Sequence, residues 1–200
     1  QVAAHMRQVL RHAVVELQAG HGPRHLGAHG LVLLRRRFAI GHQREDFCQA
    51  LGVVPEMKYQ NEGGPDLAQS FALLRRVTRP SAPQVLRLFD YVIFNALIGN
   101  HDAHAKNVSL LHPRHDAGNA PVLAPLYDAL STAVYPDLTP KMAMKIGSRY
   151  KFSEIQARHW DQFAEGAGLA RAPARKRILE MARALPSAAH DLQSAPVTGF

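Results

Sequence analysis

Three oxygen-bearing side chains at set intervals are the part of this sequence that could do chemistry. They lie in Gly99-Asn100-His101-Asp102-Ala103-His104-Ala105-Lys106-Asn107 and in Leu126-Tyr127-Asp128. Phosphoryl transfer demands positioning and charge neutralisation: an oxygen acceptor beside the attacking hydroxyl, and carboxylate or amide oxygens that hold Mg2+. Asp102, Asn107 and Asp128 supply that set. In this reading Asp102 accepts the hydroxyl proton, Asn107 holds metal through its side-chain oxygen, and Asp128 holds the metal that bridges two phosphates. Lys106 is either a phosphate contact or a solvated cation.

Five positions separate Asp102 from Asn107, the D-x-x-x-x-N interval of phosphoryl-transfer loops in protein kinases. The interval alone is a weak signal, because Asp and Asn are common in loops and caps, where their side chains bond nearby backbone amides. The elements that must position the residues add weight. Val85, Leu88, Phe89, Val92, Ile93, Ala96 and Leu97 recur at helical spacing and predict a core helix from Gln84 to about Ile98. Gly99-Asn100 stops it and delivers the chain into Asp102. Val108–Leu111 and Val122–Leu126 read as two short strands, joined by the polar stretch His112–Asn119, and so as a hairpin. The second Asp follows the Asn by 128 − 107 = 21 residues, which returns it to the hairpin's far end, facing the first loop.

Further helices are expected at Glu45–Leu51, ended by Gly52; from Pro65, with Asp66 behind it, through Arg76; at Ile155–Glu165; and at Pro173–Leu185. Leu67, Ser70, Phe71 and Leu74 mark the inward face of the second of these. The last carries Arg175, Lys176, Arg177 and Arg183 on exposed faces and frays from Pro186. Ser131–Lys141 is irregular. Near the start, Met6–Leu17 reads as a helix, Leu31–Leu34 as a buried strand and Arg35-Arg36-Arg37 as a solvated basic run.

The bulk properties bound the class without choosing a function. The 200 residues suit one domain, and 46% hydrophobic with 20% charged residues is ordinary for a protein that buries a core. A formal charge of +8 favours anionic partners: nucleotides, nucleic acid or acidic protein faces. The single Cys48 excludes an intramolecular disulfide and a cysteine-rich zinc site, which makes a reducing cytoplasm the simplest setting. No apolar run approaches the roughly 18 residues of a membrane span, so no membrane association is expected. Residues 1–44 hold six of the twelve histidines and a single acid, Glu16. The first residue is Gln, and the expectation is a reading that begins inside a longer frame.

A competing chemistry is a His-Asp metal-dependent phosphohydrolase, since His101 and His104 flank Asp102. It needs further His or Asp ligands, and the helical region around His159 offers only a lone histidine. A third reading is non-catalytic: a module that contacts a protein partner or nucleic acid through its basic helices.

Several segments together resemble the C-terminal part of HipA-family toxins, bacterial serine/threonine kinases of toxin–antitoxin systems. They are His42-Gln43-Arg44-Glu45-Asp46-Phe47-Cys48-Gln49-Ala50-Leu51-Gly52, Lys58-Tyr59 with Gly63-Gly64-Pro65, Ile98 to Asn107, and Leu123-Ala124-Pro125-Leu126-Tyr127-Asp128. Weaker likeness continues through Lys141-Met142-Ala143-Met144 and Arg158-His159-Trp160, so that it covers about Arg37 to Leu185. The resemblance implies an α+β, mainly helical protein-kinase-like C-terminal lobe in which a short β-hairpin carries the metal-site loop. It implies Asp102 as catalytic base, Asn107 and Asp128 as Mg2+ ligands, and His104 near the nucleotide, with Lys106 as a further candidate there. It also implies ATP as donor, a protein hydroxyl as acceptor and, in many systems, a DNA-binding HipB-like antitoxin that brings an indirect association with DNA.

The departures from the family are specific. A full member carries an N-terminal lobe with a phosphate-covering loop and a phosphate-pairing lysine; here the first lysine is Lys58, and Gly20, Gly22, Gly27 and Gly30 have the wrong spacing for G-x-G-x-x-G. Where the family tends to show an acidic residue before Arg-Phe-Asp-Arg, this chain reads Arg36-Arg37-Phe38-Ala39-Ile40. Residues 1–36 are therefore expected to be an atypical basic, His-rich remnant or linker, and 37–200 the kinase-like domain. The expectation for the chain by itself is a truncated kinase with little or no activity.

Overall fold

The computed structural model describes residues 42–113 and 120–194. The predicted helix at Met6–Leu17, the strand at Leu31–Leu34 and the Arg35–Arg37 run lie outside the described residues, as does most of the polar hairpin turn.

Two D-x-x-Q boxes start helices. Asp46 accepts from the Gln49 amide while the Gln49 side chain accepts from the Asp46 amide, each at 2.9 Å, and Asp66 and Gln69 repeat the exchange. Each box satisfies two backbone donors that a helix start leaves without partners. The first opens α1 (Phe47–Ala50) and the second opens α2 (Leu67–Val77). Pro65 therefore stands ahead of the cap rather than at the first helical position. Leu67, Ser70, Phe71 and Leu74 are buried as predicted, together with Leu73.

The core helix α3 spans Ser81–Ile98, three residues longer at its start than the periodicity indicates, because Pro83 falls in the first turn, where a missing N–H costs nothing. Val85, Leu88, Phe89, Ile93, Ala96 and Leu97 are buried along it. Gly99 ends it in the left-handed region (φ 73°), where a Cβ would lie 2.7 Å from that of Ala133. That position admits only glycine.

The predicted hairpin is present and has a third strand. β1 (His42–Asp46) pairs antiparallel with β2 (Ser109–Pro113), which pairs antiparallel with β3 (Val122–Leu123), in the order β1-β2-β3. Glu45 and Asp46 thus belong to a strand and not to the helix expected there, which shrinks to one turn after the Asp46 cap. α3 holds the hairpin through polar contacts: Gln84 accepts from the Leu123 amide (3.0 Å) and the Tyr91 hydroxyl donates to the Ala124 carbonyl (3.1 Å).

α4 (Ala157–Gly166) and α5 (Arg171–Ser194) close the core. Phe163 of α4 stacks on Phe89 of α3 (centroids 5.0 Å, 9° between planes) and meets Phe71 of α2 at 5.9 Å and Trp160 at 6.0 Å. Four aromatic rings from three helices thus share one contact, which fixes the helices' mutual rotation as well as burying area. α5 buries Ala174, Ile178 and Ala182, one per turn. It does not fray at Pro186. The proline removes one backbone donor, but Leu185 beside it packs on the core and the helix runs on to Ser194.

Two of the arginines expected on exposed faces of α5 are engaged in ion pairs. Arg177 forks onto Asp90 of α3 (2.8 and 2.7 Å), and Arg175 grips the buried Asp161 of α4 (Nε to Oδ1, 2.6 Å). The bond from Arg175 holds the Asp161 carboxyl below its ordinary range, outweighing the opposing effect of burial. A carboxyl depressed in the folded state stabilises above its unfolded value and loses that contribution as the pH falls through the folded one. Asp161→Asn is therefore expected to unfold at lower urea than the parent at pH 7. Urea titrations at a series of pH values should show the gap closing as the pH falls below 3.8.

Candidate active site

The chain leaves α3 through Gly99 into a loop whose side chains bond one another before anything else. Asn100 is 4% exposed, and its amide nitrogen donates to Asn95 Oδ1 of α3 (2.8 Å) and to the backbone carbonyl of Asp128 (3.1 Å). Its oxygen accepts from the Asp102 amide at 3.1 Å. One side chain thus ties the helix, the Asp102 loop and the Asp128 segment together, with both of its N–H groups used.

Asp102 and Asn107 are held to each other within the loop. Asn107 Nδ2 donates to the Asp102 carbonyl (2.9 Å), which also accepts from the His104 amide (2.8 Å). Anchoring the nitrogen leaves Asn107 Oδ1 free for a ligand. A short 3-10 turn, Ala105–Asn107, closes the loop and leads into β2. Tyr127 braces that turn: its hydroxyl donates to the Lys106 carbonyl (2.7 Å) and meets the Ser109 hydroxyl at 2.5 Å.

Asp128 follows Tyr127 with φ 56°, the sole positive value at a non-glycine residue among those described. Asp tolerates this region better than most side chains, but the conformation persists only where the surroundings impose it. Here the Asp128 carbonyl is tied to the Asn100 side chain. Thr132, in the 3-10 turn Thr132–Val134 after Asp128, accepts from the His101 amide (2.7 Å) and reaches the Gly99 carbonyl (3.2 Å). The irregular segment predicted for Ser131–Lys141 is present and pinned to the Asp102 loop at this turn.

Asn107, Asp128, His104 and Tyr127 line one cavity with Met142, Met144 and residues of α3. Asp102 is not part of that lining. It stands beside it, with Oδ2 3.9 Å from His104 Nε2 and its side chain half exposed. Lys106 is likewise not part of the lining. The structure therefore gathers Asp102, His104, Asn107 and Asp128, while Lys106 stands off the cavity lining with its carbonyl bonded to Tyr127.

His104 is 5% exposed, and its Nδ1 is buried without a protein partner. Burial lowers its pKa below the ordinary value despite the opposing charge of Asp102, so the imidazole is neutral at pH 7. His159, the other histidine weighed for a metal-dependent hydrolase, is used to cap α4, where it accepts from the Gln156 amide (2.9 Å). Among the described residues no group of three or more His, Cys, Asp or Glu is arranged to hold a metal ion, so the hydrolase reading gains no support.

Two residues of the site escape sequence reasoning. Asn100 reads as a helix stop, whereas its side chain is the junction of three segments. Tyr59, whose hydroxyl donates to Asp102 Oδ1 at 2.8 Å, is 43 positions from its partner, and the family-like Lys58-Tyr59 pair gives no hint of that contact.

A helix-delivered D-x-x-x-x-N loop, an antiparallel hairpin and an Asp returning to the loop's cavity, on a mainly helical scaffold, define an α+β kinase-like C-terminal lobe. The chain belongs to the HipA-like C-terminal domain family, whose model matches residues 3–189, beginning well ahead of Arg37. It is 54% identical over 140 residues to Y4mE of Sinorhizobium fredii, a protein named as a candidate kinase, covering 70% of this chain and 32% of that protein. It is 31% identical over 170 residues to the serine/threonine-protein kinase toxin HipA of Shewanella oneidensis, covering 76% and 38%. The fold matches the structure of the Shewanella oneidensis MR-1 HipA, HipB and operator DNA complex with a TM-score of 0.65 and 26% identity, over 79% of this chain and 39% of that one. The chain spans between about a third and two fifths of the length of these relatives.

The Asn100 junction makes a direct prediction. Asn100→Asp turns two donated hydrogen bonds into a buried carboxylate facing two oxygens, and is expected to cost about 3 kcal/mol at pH 7. Asn100→Ala should cost less, because it removes the bonds without adding a charge. Urea unfolding of the two variants beside the parent checks both the loss and its order.

Proposed function

We propose that this chain is the catalytic-loop lobe of a HipA-like serine/threonine protein kinase, transferring phosphate from ATP to a protein hydroxyl. The observation that supports the reading is that two oxygen-bearing side chains, Asn107 and Asp128, line one cavity. Asn107 is anchored through its nitrogen to the Asp102 carbonyl, and Asp128, at φ 56°, is tied through its carbonyl to Asn100. An amide and a carboxylate oxygen suit a hard cation such as Mg2+, and neutral His104 lines the same cavity, where a nucleotide would lie against it. When bound, Mg2+ neutralises charge on the transferring phosphate.

In this proposal Asn107 and Asp128 hold the metal, neutral His104 borders the nucleotide, and Asp102 accepts the proton of the acceptor hydroxyl. Lys106 remains a proposed phosphate contact; its position off the cavity wall gives it less support. The sequence carries no G-x-G-x-x-G and no lysine ahead of Lys58, so this half-site is proposed to need a nucleotide-covering lobe for efficient turnover and to be weakly active or inactive alone. By likeness to the Shewanella HipA–HipB–DNA complex, a HipB-like antitoxin is the proposed partner, and contact with DNA is proposed to run through it. No helix of the described residues is long and apolar enough to cross a membrane; the proposed cytoplasmic setting rests on likeness to the HipA kinase toxin.

The test uses the 200-residue chain. Mn2+ should bind it together with ATP, read as loss of the free-ion resonance signal, and Asp128→Asn or Asn107→Ala should each weaken that binding about tenfold or more. Any transfer from labelled ATP to a protein acceptor should fall at least about a hundredfold in Asp102→Asn. Binding unchanged by the ligand variants, or transfer that survives Asp102→Asn, overturns the reading.

A further inference from the structure

The loop from Met57 to Gly64 has a shape that serves one contact. Gly64 donates its amide to the Tyr59 carbonyl (2.9 Å) and packs so closely that a Cβ there would lie 2.3 Å from the Met57 carbonyl oxygen and 2.8 Å from that of Tyr59. Gly63, at φ 95°, makes the turn that allows it. The loop is then laced to the Asp102 loop through a third strip of chain. Gln60 donates to the Ala143 carbonyl (3.0 Å), Ala143 donates to the His101 carbonyl (2.7 Å), and the Gln60 side chain accepts from the Lys145 amide (2.8 Å).

This scaffold fixes the Tyr59 ring. The ring meets that of His104 edge-on at 5.5 Å, has the Lys58 ammonium 4.9 Å from its centroid, and places its hydroxyl on Asp102 Oδ1. The bond uses one carboxylate oxygen and leaves Oδ2 on the His104 side.

We infer that Tyr59 is a positioning residue: it holds the Asp102 carboxylate in one rotamer, so that Oδ2 alone is presented to the hydroxyl whose proton Asp102 accepts. This rests on the kinase reading above for its catalytic consequence, and on geometry alone for the hold itself. A half-exposed aspartate side chain otherwise samples several rotamers, and a base displaced by about 1 Å can lose about a hundredfold in rate. Burial first, and then the bond to Asp102, raise the Tyr59 pKa, which keeps the phenol a donor across the working range of pH. Tyr59 touches the base and not the reacting atoms, so its effect belongs in turnover and not in nucleotide affinity.

Tyr59→Phe keeps the ring and its packing and removes only the hydroxyl. The first measurement is the pair of three-bond Hα–Hβ couplings of Asp102 in the labelled 200-residue chain. The parent should show values of a single staggered rotamer and Tyr59→Phe averaged values; identical couplings in the two overturn the inference. The second is single-turnover transfer from ATP, with Mn2+–ATP affinity measured in parallel. Tyr59→Phe should slow transfer about tenfold to a hundredfold at unchanged affinity. If Asp102→Asn abolishes transfer while Tyr59→Phe leaves the rate intact, or if mass spectrometry finds phosphate on Tyr59, the positioning role is wrong. If Asp102→Asn changes nothing, the kinase reading fails instead, and the couplings decide the role of Tyr59 by themselves.

Discussion

The site depends on a buried primary amide. Asn100 joins the end of a long helix, the loop that carries Asp102 and Asn107, and the backbone of Asp128, and no charged or apolar side chain of its size offers two donors and an acceptor in that arrangement. A neutral group suits the location: it satisfies each partner without placing a charge behind a proposed cation site, where it would either compete with the ligands or repel the metal. The low dielectric that would make an unpaired group costly here also strengthens each of the three bonds. Because the helix end is itself locked by the Gly99 turn and by core packing through Leu97 and Ile93, the geometry of the loop is inherited from the core.

The electrostatic character of the site follows the same logic. His104 is kept neutral by burial, so the Asp102 carboxylate does not form a fixed ion pair with it, and the imidazole contributes shape and a hydrogen-bonding edge. The neighbouring cations, Lys58 on Tyr59 and Arg44 over the Tyr127 ring (5.0 Å), rest on aromatic faces, and Asp102 Oδ1 is held by the neutral Tyr59 hydroxyl.

Much of this was legible in the order of residues because it is local. The D-x-x-x-x-N interval, the stop at Gly99, the apolar stripe of α3 and the return to Asp128 all depend on contacts within about thirty positions, and periodicity and turn chemistry report them. The two capping boxes are equally local, and the second places its helix start at Leu67 and not at Pro65. What could not be read depends on distance along the chain. β1 finds β2 more than sixty residues away, which turned an expected helix start into a strand, and the bond from Tyr59 to Asp102 spans 43 positions. Asn100 was visible as a residue but not as a junction, since a helix stop and a three-way tie look alike in sequence. Pro186 misled for the opposite reason: a strong local breaker yielded to packing of the turn before it.

The register of the small sheet has a mechanical meaning. His42 faces Pro113 and Asp46 faces Ser109, and beyond the ladder the Phe47 amide donates to the Val108 carbonyl at 3.0 Å. The ladder therefore runs from the His42–Pro113 pair, remote from Asn107, to the rungs beside it. Any opening that begins at His42 must part every rung in turn before it reaches the residue next to Asn107. Asn107 thus inherits its place from a ladder of five residue pairs that must all part before an opening begun at His42 could move it.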